Sequence, residues 1–313
     1  MSVLVETKNL KKYFSVEAGV LHAVDDVSIQ IREGETFGIV GESGCGKSTL
    51  GKTIIRLQEA TSGEVLYKGE NIHALKRRKM KELRRDLQII FQDPYSSLNP
   101  RMNVLQIITE PMVIAGLSGR EAVEKAKHLM EVVGLAARLE GVFPHELDGG
   151  RRQRIGIARA LSVDPTFIVC DEPVSALDVS IQAQILNLMM DLQEQRNLTY
   201  LFITHNLAVV RLISDQIGVM YLGQCVEIAP TDELFERPLH PYTKALLASV
   251  PVADLSMRHR QPEVIRGEIS SPVNPIPGCR FAPRCPYVTP LCTEGDIPLK
   301  DMGGGHSVAC TLY

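Results

Sequence analysis

Tryptophan is absent from this sequence and aromatic residues make up only 5% of it, so it has no stacked-ring platform for the bases of a nucleic acid. An excess of charge is lacking too: 34 Lys and Arg stand against 37 Asp and Glu, a formal net charge of -3. Without a global basic field, no nucleic acid is expected as a partner. No uninterrupted apolar run approaches the roughly 18 to 20 residues that span a bilayer. The opening stretch, MSVLVETKNLKKYF, has no apolar signal-peptide core, and the chain is expected to stay in the cytosol. A chain of 313 residues is no small disulfide scaffold, and its seven cysteines, in an expected cytosolic setting, read as buried thiols, a metal site or a cluster site rather than as a disulfide framework. What is present is an ordinary globular composition, 44% apolar and 23% charged, in a chain long enough for a full hydrophobic core.

Local patterning predicts an α/β fold. Residues 3–40 alternate short β-branched segments with turn signals (LVETKNLKKYF, AVDDVSIQIREGE, TFGIV), the pattern of sheet. After Val40 a Gly-rich turn opens a helical segment, Lys47 to Leu57, and the runs LQIIF, TFIVCD and TYLFIT then alternate with helical stretches. Such alternation predicts a mainly parallel, helix-covered sheet. Between Asn99 and Leu161 the pattern is almost wholly helical, clearest in EAVEKAKHLMEVVGL, and a helical insertion is expected. From about Ala229 Pro, Cys and Gly accumulate, as in SSPVNPIPGCRFAPRCP; regular helices are not expected there, and a separate tail is. The expected division is a core of residues 1–98 and 164–250, a helical subdomain at 99–163 and a tail at 251–313.

The strongest local signal is GESGCGKST, Gly41 to Thr49, which satisfies G-x-x-x-x-G-K-S between a strand and a helix. In such a loop Gly41, Ser43, Gly44, Cys45 and Gly46 let backbone N–H groups close around phosphate, and the helix N-terminus adds positive dipole. Lys47 is a point cation for the β and γ phosphates, and Ser48, followed by Thr49, can ligate Mg2+. A Gly-rich turn that merely caps a helix is the bland alternative. The strand TFIVCDEP ends in two carboxylates that alternation points apart, so Asp171 can hold Mg2+ through water while Glu172 faces a water aimed at the γ-phosphate. Farther on, SALD leads into a helix and LFITH ends a strand at His205, which can donate to a phosphate oxygen.

Over residues 3–250 these motifs, in this order, resemble the ATP-binding cassette (ABC) ATPases. The resemblance implies a P-loop NTPase of the ABC type with an antiparallel β subdomain, an inserted helical subdomain and a Cys/Pro-rich tail. It also implies that Tyr13, next to Phe14, stacks on adenine, and that Gln92 touches Mg2+ and the attacking water. Glu172 is then the general base, His205 the γ-phosphate contact, and Asp178 a residue that crosses a dimer interface. Such cassettes pair head to tail, each ATP lying between one phosphate loop and the other subunit's signature segment. That segment departs from the family's L-S-G-G-Q: here it is Leu147, Asp148, Gly149, Gly150, Arg151. An ionised carboxylate cannot donate to phosphate and repels it, although Arg151 or Arg152 can offset the charge. The site this segment completes is expected to be impaired, and a partner with an ordinary signature is expected to restore one competent site.

FQDPYSSLNPRMNV, LHPYTKALLASVP and GEISSPVNPIPGCRFAPRCP resemble the ATPases of dipeptide, oligopeptide and nickel importers, and most of all the second ATPase of the peptide systems. The implied assembly is a heterodimer with another ATPase subunit on two membrane permease subunits, served indirectly by an extracytoplasmic peptide-binding protein, at the cytoplasmic face of the inner membrane. Cys279, Cys285, Cys292 and Cys310, with five, six and 17 residues between them, fall in the tail. Grouped thiols in a reducing compartment suit soft-metal ligation, yet the spacing is not that of a zinc finger, and free thiols are the alternative. Resemblance to peptide-importer ATPases with a tetra-iron cluster at matching positions implies a [4Fe-4S] cluster, with zinc as the alternative. The rival functions are a nickel or metallophore importer ATPase, a non-transport cassette ATPase, which would need a tandem cassette or a long coiled-coil insertion, and a pure binding protein, which would be expected to lose Glu172.

Overall fold

The computed structural model describes residues 2–249 and 270–313; the boundary expected at 250/251 and the first part of the tail, 251–269, lie outside the described residues. In chain order the strands are β1 (Val3–Val16), β2 (Gly19–Val27), β3 (Gln30–Arg32), β4 (Thr36–Val40), β5 (Ser62–Tyr67), β6 (Glu70–Asn71), β7 (Leu87–Ile90), β8 (Phe167–Asp171), β9 (Thr199–Ile203), β10 (Gln216–Tyr221), β11 (Gln224–Pro230), β12 (Lys300–Asp301) and β13 (Ser307–Val308). The α-helices are α1 (Lys47–Ile54), α2 (Arg77–Leu83), α3 (Pro94–Ser97), α4 (Val104–Ile114), α5 (Gly119–Val132), α6 (Gly149–Leu161), α7 (Val179–Arg196), α8 (Leu207–Ile213), α9 (Thr231–Glu236) and α10 (Pro241–Ala248). They fall into two compact units.

The first unit holds Arg32–Glu35 and Ala74–Ile203, with Ser2. Its strands β7, β8 and β9 pair in parallel, Leu87 opposite Phe167 and Phe167 opposite Thr199. Both β8 and β9 are buried along their whole length, which is why their sequences read as apolar runs rather than alternating ones. The expected helical insertion is present as α4, α5 and α6. A capping box of Ser118 and Glu121 starts α5, whose buried residues Ala122, Ala126, Leu129 and Met130 lie on one helical face. Burying Leu129 and Met130 contributes about 1.5–3 kcal/mol each.

The second unit holds Val3–Ile31, Thr36–His73 and the described residues from Thr204 onward. Here β1 pairs antiparallel with β2 and β5, and β6 continues from β5. Separately, β4 pairs in parallel with β10, β10 antiparallel with β11, and β11 with β13, beside β12. The buried strand β4 delivers the chain into the Gly-rich turn that precedes α1. Val40, Val219, Tyr221, Tyr242 and Phe281 share one core, with the Tyr221, Tyr242 and Phe281 rings 4.7–5.4 Å apart.

One expectation is corrected in this unit: the stretch after Ala229 is not without regular helices, because it forms α9 and α10. Pro241 sits in the first turn of α10, where its missing N–H costs no hydrogen bond, and His240 Nδ1 caps the helix by accepting from the Tyr242 N–H at 3.1 Å. Proline here starts a helix instead of breaking one. Beyond residue 270 the chain adds Phe281 to the core and β13 to the side of β11, covering a strand edge that would otherwise be open. Among the described residues no helix is long and apolar enough to cross a membrane.

Candidate functional site

In the second unit the Gly-rich turn is a closed cradle. A Cβ on Gly46 (φ 104°) would lie 1.9 Å from the Ala23 carbonyl oxygen, and one on Gly41 would lie 2.1 Å from that of Met220. Only glycine fits at either position. Lys47 is buried at 4% exposure and donates from Nζ to the carbonyls of Gly41 (2.8 Å) and Glu42 (2.9 Å). The cation is thus held inside its own loop, at the mouth of α1. Ser43 and Gly44 are exposed at the tip, Ser48 and Thr49 are half-buried on α1, and burial raises the Cys45 thiol above its ordinary value. His205 is exposed one residue before Asn206, whose side chain caps α8.

Tyr13, on β1, is stacked on His22 with ring centroids 3.9 Å apart, and its hydroxyl donates to Asp25. Burial and the hydrogen bond to that carboxylate push the phenol well above its usual range. Neighbouring Phe14 has the Lys12 ammonium over its ring at 4.7 Å.

In the first unit β8 ends at buried Asp171, and the chain turns at Glu172 into the left-handed region (φ 48°). Such a conformation costs a non-glycine residue about 1–3 kcal/mol and re-aims its side chain relative to the strand. The Glu172 N–H is tied to the Ile203 carbonyl at 2.9 Å, and its Oε2 accepts from Gln92 Nε2 at 2.9 Å. The structure therefore brings together two of the residues picked out by sequence, 80 positions apart. Asp148 is the N-cap of α6: one oxygen accepts from the Arg151 N–H at 2.8 Å and the other lies 3.2 Å from Arg151 Nη1. Of the two arginines expected to offset its charge, Arg151 lies beside it in an exposed pair; Arg152 instead donates to the Pro144 carbonyl and lies over Tyr95. Gly149 and Gly150 pack against Leu177 and Ile181, where a Cβ on Gly150 would come 2.8 Å from Ile181 Cγ2. Asp178 is exposed at the start of α7 and makes no capping side-chain bond.

Cys279, Cys285, Cys292 and Cys310 line one pocket of the second unit, beside His240. Burial and the neighbouring thiols push Cys279 up to about 11. Burial also acts on Cys292, but hydrogen bonds from Thr289 and Thr311 outweigh it and hold that thiol below its ordinary value. Among the described residues no group of three or more His, Cys, Asp or Glu is placed to hold a metal ion. The other three cysteines, Cys45, Cys170 and Cys225, are buried and separate from this pocket.

Five residues outside the recognised motif positions support the site. Glu42, Tyr242, Asp25, Arg280 and Arg284 are joined to the phosphate loop or to Tyr13 by hydrogen bonds within the second unit. The available signal was an arginine adjoining each of two tail cysteines, at Arg280 and Arg284.

Residues 24–175 match the ABC transporter family, and residues 226–292 match the C-terminal region of oligopeptide/dipeptide transporters. The chain is 52% identical to a putative oligopeptide transport ATP-binding protein, YkfD, of Bacillus subtilis, covering 99% of this chain and 95% of that one. It is 47% identical to the oligopeptide transport ATP-binding protein OppF of Salmonella typhimurium, over 98% of this chain and 96% of that one. Among solved structures, a dimeric bacterial ABC transporter cassette superposes with a TM-score of 0.68 at 29% identity, covering 73% of this chain and 99% of the cassette. A post-hydrolysis dimer of that cassette, bound to ADP and Pi, superposes equally well at 30% identity, with the same coverage of both chains.

Proposed function

This chain belongs to the ABC transporter family, among the ATP-binding proteins of oligopeptide/dipeptide systems, and from that premise we propose that it is the ATP-hydrolysing subunit of a peptide importer, peripheral to the cytoplasmic face of the membrane and paired with a second, different ATPase on two permease subunits. The observation that carries this reading is that one chain joins an intact phosphate loop and the Gln92–Glu172 pair to the C-terminal region of oligopeptide/dipeptide transporters. In this reading Lys47 and the loop N–H groups bind the β and γ phosphates, Tyr13 meets the adenine, and His205 donates to the γ-phosphate. Glu172 takes the proton of the attacking water while Gln92 holds its carboxylate in place. The Ser48 hydroxyl, the Asp171 carboxylate and the Gln92 amide oxygen are the hard donors that would hold Mg2+, which supplies charge neutralisation at the phosphates. Asp178 is assigned to the contact with the partner ATPase.

Reconstitution of the chain with its partner ATPase and permeases in vesicles tests the function. ATP-dependent uptake of a labelled peptide is expected; uptake of a nickel complex in its place would move the cargo to the nickel branch.

Asp148 makes the two composite sites unequal. With an exposed carboxylate where a phosphate donor is usual, the site completed by this signature should mainly hold nucleotide. Asp148→Ser with Arg151→Gln should raise the partner site's hydrolysis by about tenfold, since serine still caps α6 and adds a donor to the γ-phosphate. Single-turnover rates in the heterodimer with this chain's own Glu172 disabled would measure it, and an unchanged rate would mean that Arg151 already neutralises the carboxylate.

The tail thiols are read as the ligands of a [4Fe-4S] cluster. Support comes from four cysteines that line one pocket of the second unit, since such a cluster is held by four thiolates. Protein purified without oxygen should carry iron and sulfide, and Ser at any of Cys279, Cys285, Cys292 or Cys310 should remove both. Zinc alone in such protein would overturn the cluster in favour of a structural zinc.

A further inference from the structure

The seven residues from Cys279 to Cys285 do more than present two thiols. The segment is stiffened from within by a short 3-10 turn over Ala282–Arg284 and by N–H bonds from Ala282 to the Cys279 carbonyl (3.0 Å) and from Arg284 to that of Phe281 (2.9 Å). It is anchored by the Phe281 ring against Tyr221 and Tyr242. Two arginines leave it in different directions. Arg280, only 5% exposed, pairs with Asp25 and donates to the Leu222 carbonyl. Asp25 in turn accepts from the Tyr13 hydroxyl and lies 3.0 Å from Nδ1 of His22, the ring stacked on Tyr13. Arg284 donates to both oxygens of Glu42, at 3.1 and 3.2 Å, and to the Tyr221 hydroxyl at 3.2 Å. Glu42 is part of the phosphate loop: its N–H donates to the Tyr242 hydroxyl at 2.9 Å and its carbonyl accepts from Lys47 Nζ.

We propose that this segment is a clip that sets both ends of the nucleotide site, with Arg280 and Arg284 as positioning residues: Arg280, through Asp25, fixes the Tyr13 ring that meets the base, and Arg284, through Glu42, fixes the loop that meets the phosphates. The proposal rests on the ATP-site reading above and deepens it. Neither arginine touches nucleotide; each holds a group that does. The two side-chain links share no residue; a backbone path does join them, since the Gly223 N–H donates to the Cys45 carbonyl of the phosphate loop at 2.7 Å and the Asp25 N–H to the Gly223 carbonyl at 2.8 Å, so each arginine acts mainly, not solely, on its own end of the ligand.

Binding of ATP and of inorganic tripolyphosphate to the full-length chain, in complex with its partner ATPase whose own phosphate-loop lysine is replaced, separates them. Arg280→Gln should weaken ATP about tenfold, the loss expected for one charge-assisted hydrogen bond, and weaken tripolyphosphate far less because that ligand has no base. Arg284→Gln should weaken both by the same factor. Tyr13→Phe, which removes only the hydroxyl that reaches Asp25, should reproduce the Arg280→Gln selectivity loss without disturbing the fold. The Arg280→Gln and Tyr13→Phe losses should not add in the double variant. Equal loss of both ligands in Arg280→Gln, or wild-type ATP binding in Tyr13→Phe, would overturn the clip. Lys47→Ala serves as the reference: if it binds both ligands as the wild type does, the nucleotide-site reading itself has failed, and not the clip alone.

Discussion

Glu172→Gln is expected to leave ATP binding intact and to slow hydrolysis by at least about 100-fold, the lower end of what a positioned general base contributes. The amide has nearly the same shape, and its oxygen can still accept from Gln92 Nε2, so the 2.9 Å contact survives. What it loses is the capacity to take a proton from water. The left-handed backbone at Glu172 and the N–H bond to Ile203 hold the side chain wherever the sheet puts it, so the substitution should change chemistry and not geometry. ATP affinity at equilibrium and single-turnover rate on the assembled transporter measure the two effects separately. Hydrolysis at the wild-type rate would remove Glu172 from its role. Because the partner site carries the altered signature, the same change should also stop transport, whereas the equivalent change in the partner should be milder.

Lys47→Ala should act one step earlier, weakening ATP by about 100-fold, or ~3 kcal/mol, the scale for deleting one member of a buried charged pair. Lys47 Nζ is satisfied by the carbonyls of Gly41 and Glu42, so it is a buried cation solvated by its own loop. Phosphate oxygens bring the negative charge that these carbonyls lack. Since the lysine is stored in place, little reorganisation is needed on binding, and its loss should appear in affinity far more than in stability. Calorimetric titration with ATP, together with thermal unfolding of the same variant, gives both quantities; a large fall in melting temperature with unchanged affinity would mean that Lys47 is structural.

The phosphate loop, the paired carboxylates after TFIVC, and the altered signature were each legible because the information is local. In GESGCGKST the glycines, lysine and hydroxyls stand within nine residues, and the strand before and helix after follow from the same short window. The helical insertion was legible for a like reason: the apolar face of α5 and its capping box recur at a fixed helical spacing. Four cysteines in one stretch were legible as a group, and in the structure they line one pocket.

Composition failed at α9 and α10, where proline content argued against helix although Pro241 occupies the one turn of a helix that tolerates it. Linear spacing also says nothing about the bond from Gln92 to Glu172, nor about Arg280 reaching Asp25 across 255 positions and Arg284 reaching Glu42 across 242. Such contacts are set by which strands pair and which rings pack, as when Phe281 seats against Tyr221 and Tyr242 and thereby aims the two arginines beside it. By itself, then, the sequence determined the phosphate-loop motif, the carboxylate pair and the altered signature segment, because those motifs are short and self-contained. Only the tertiary structure decided which distant side chains hold those groups in position, because a hydrogen bond between residues far apart in the chain exists only after the core between them has closed.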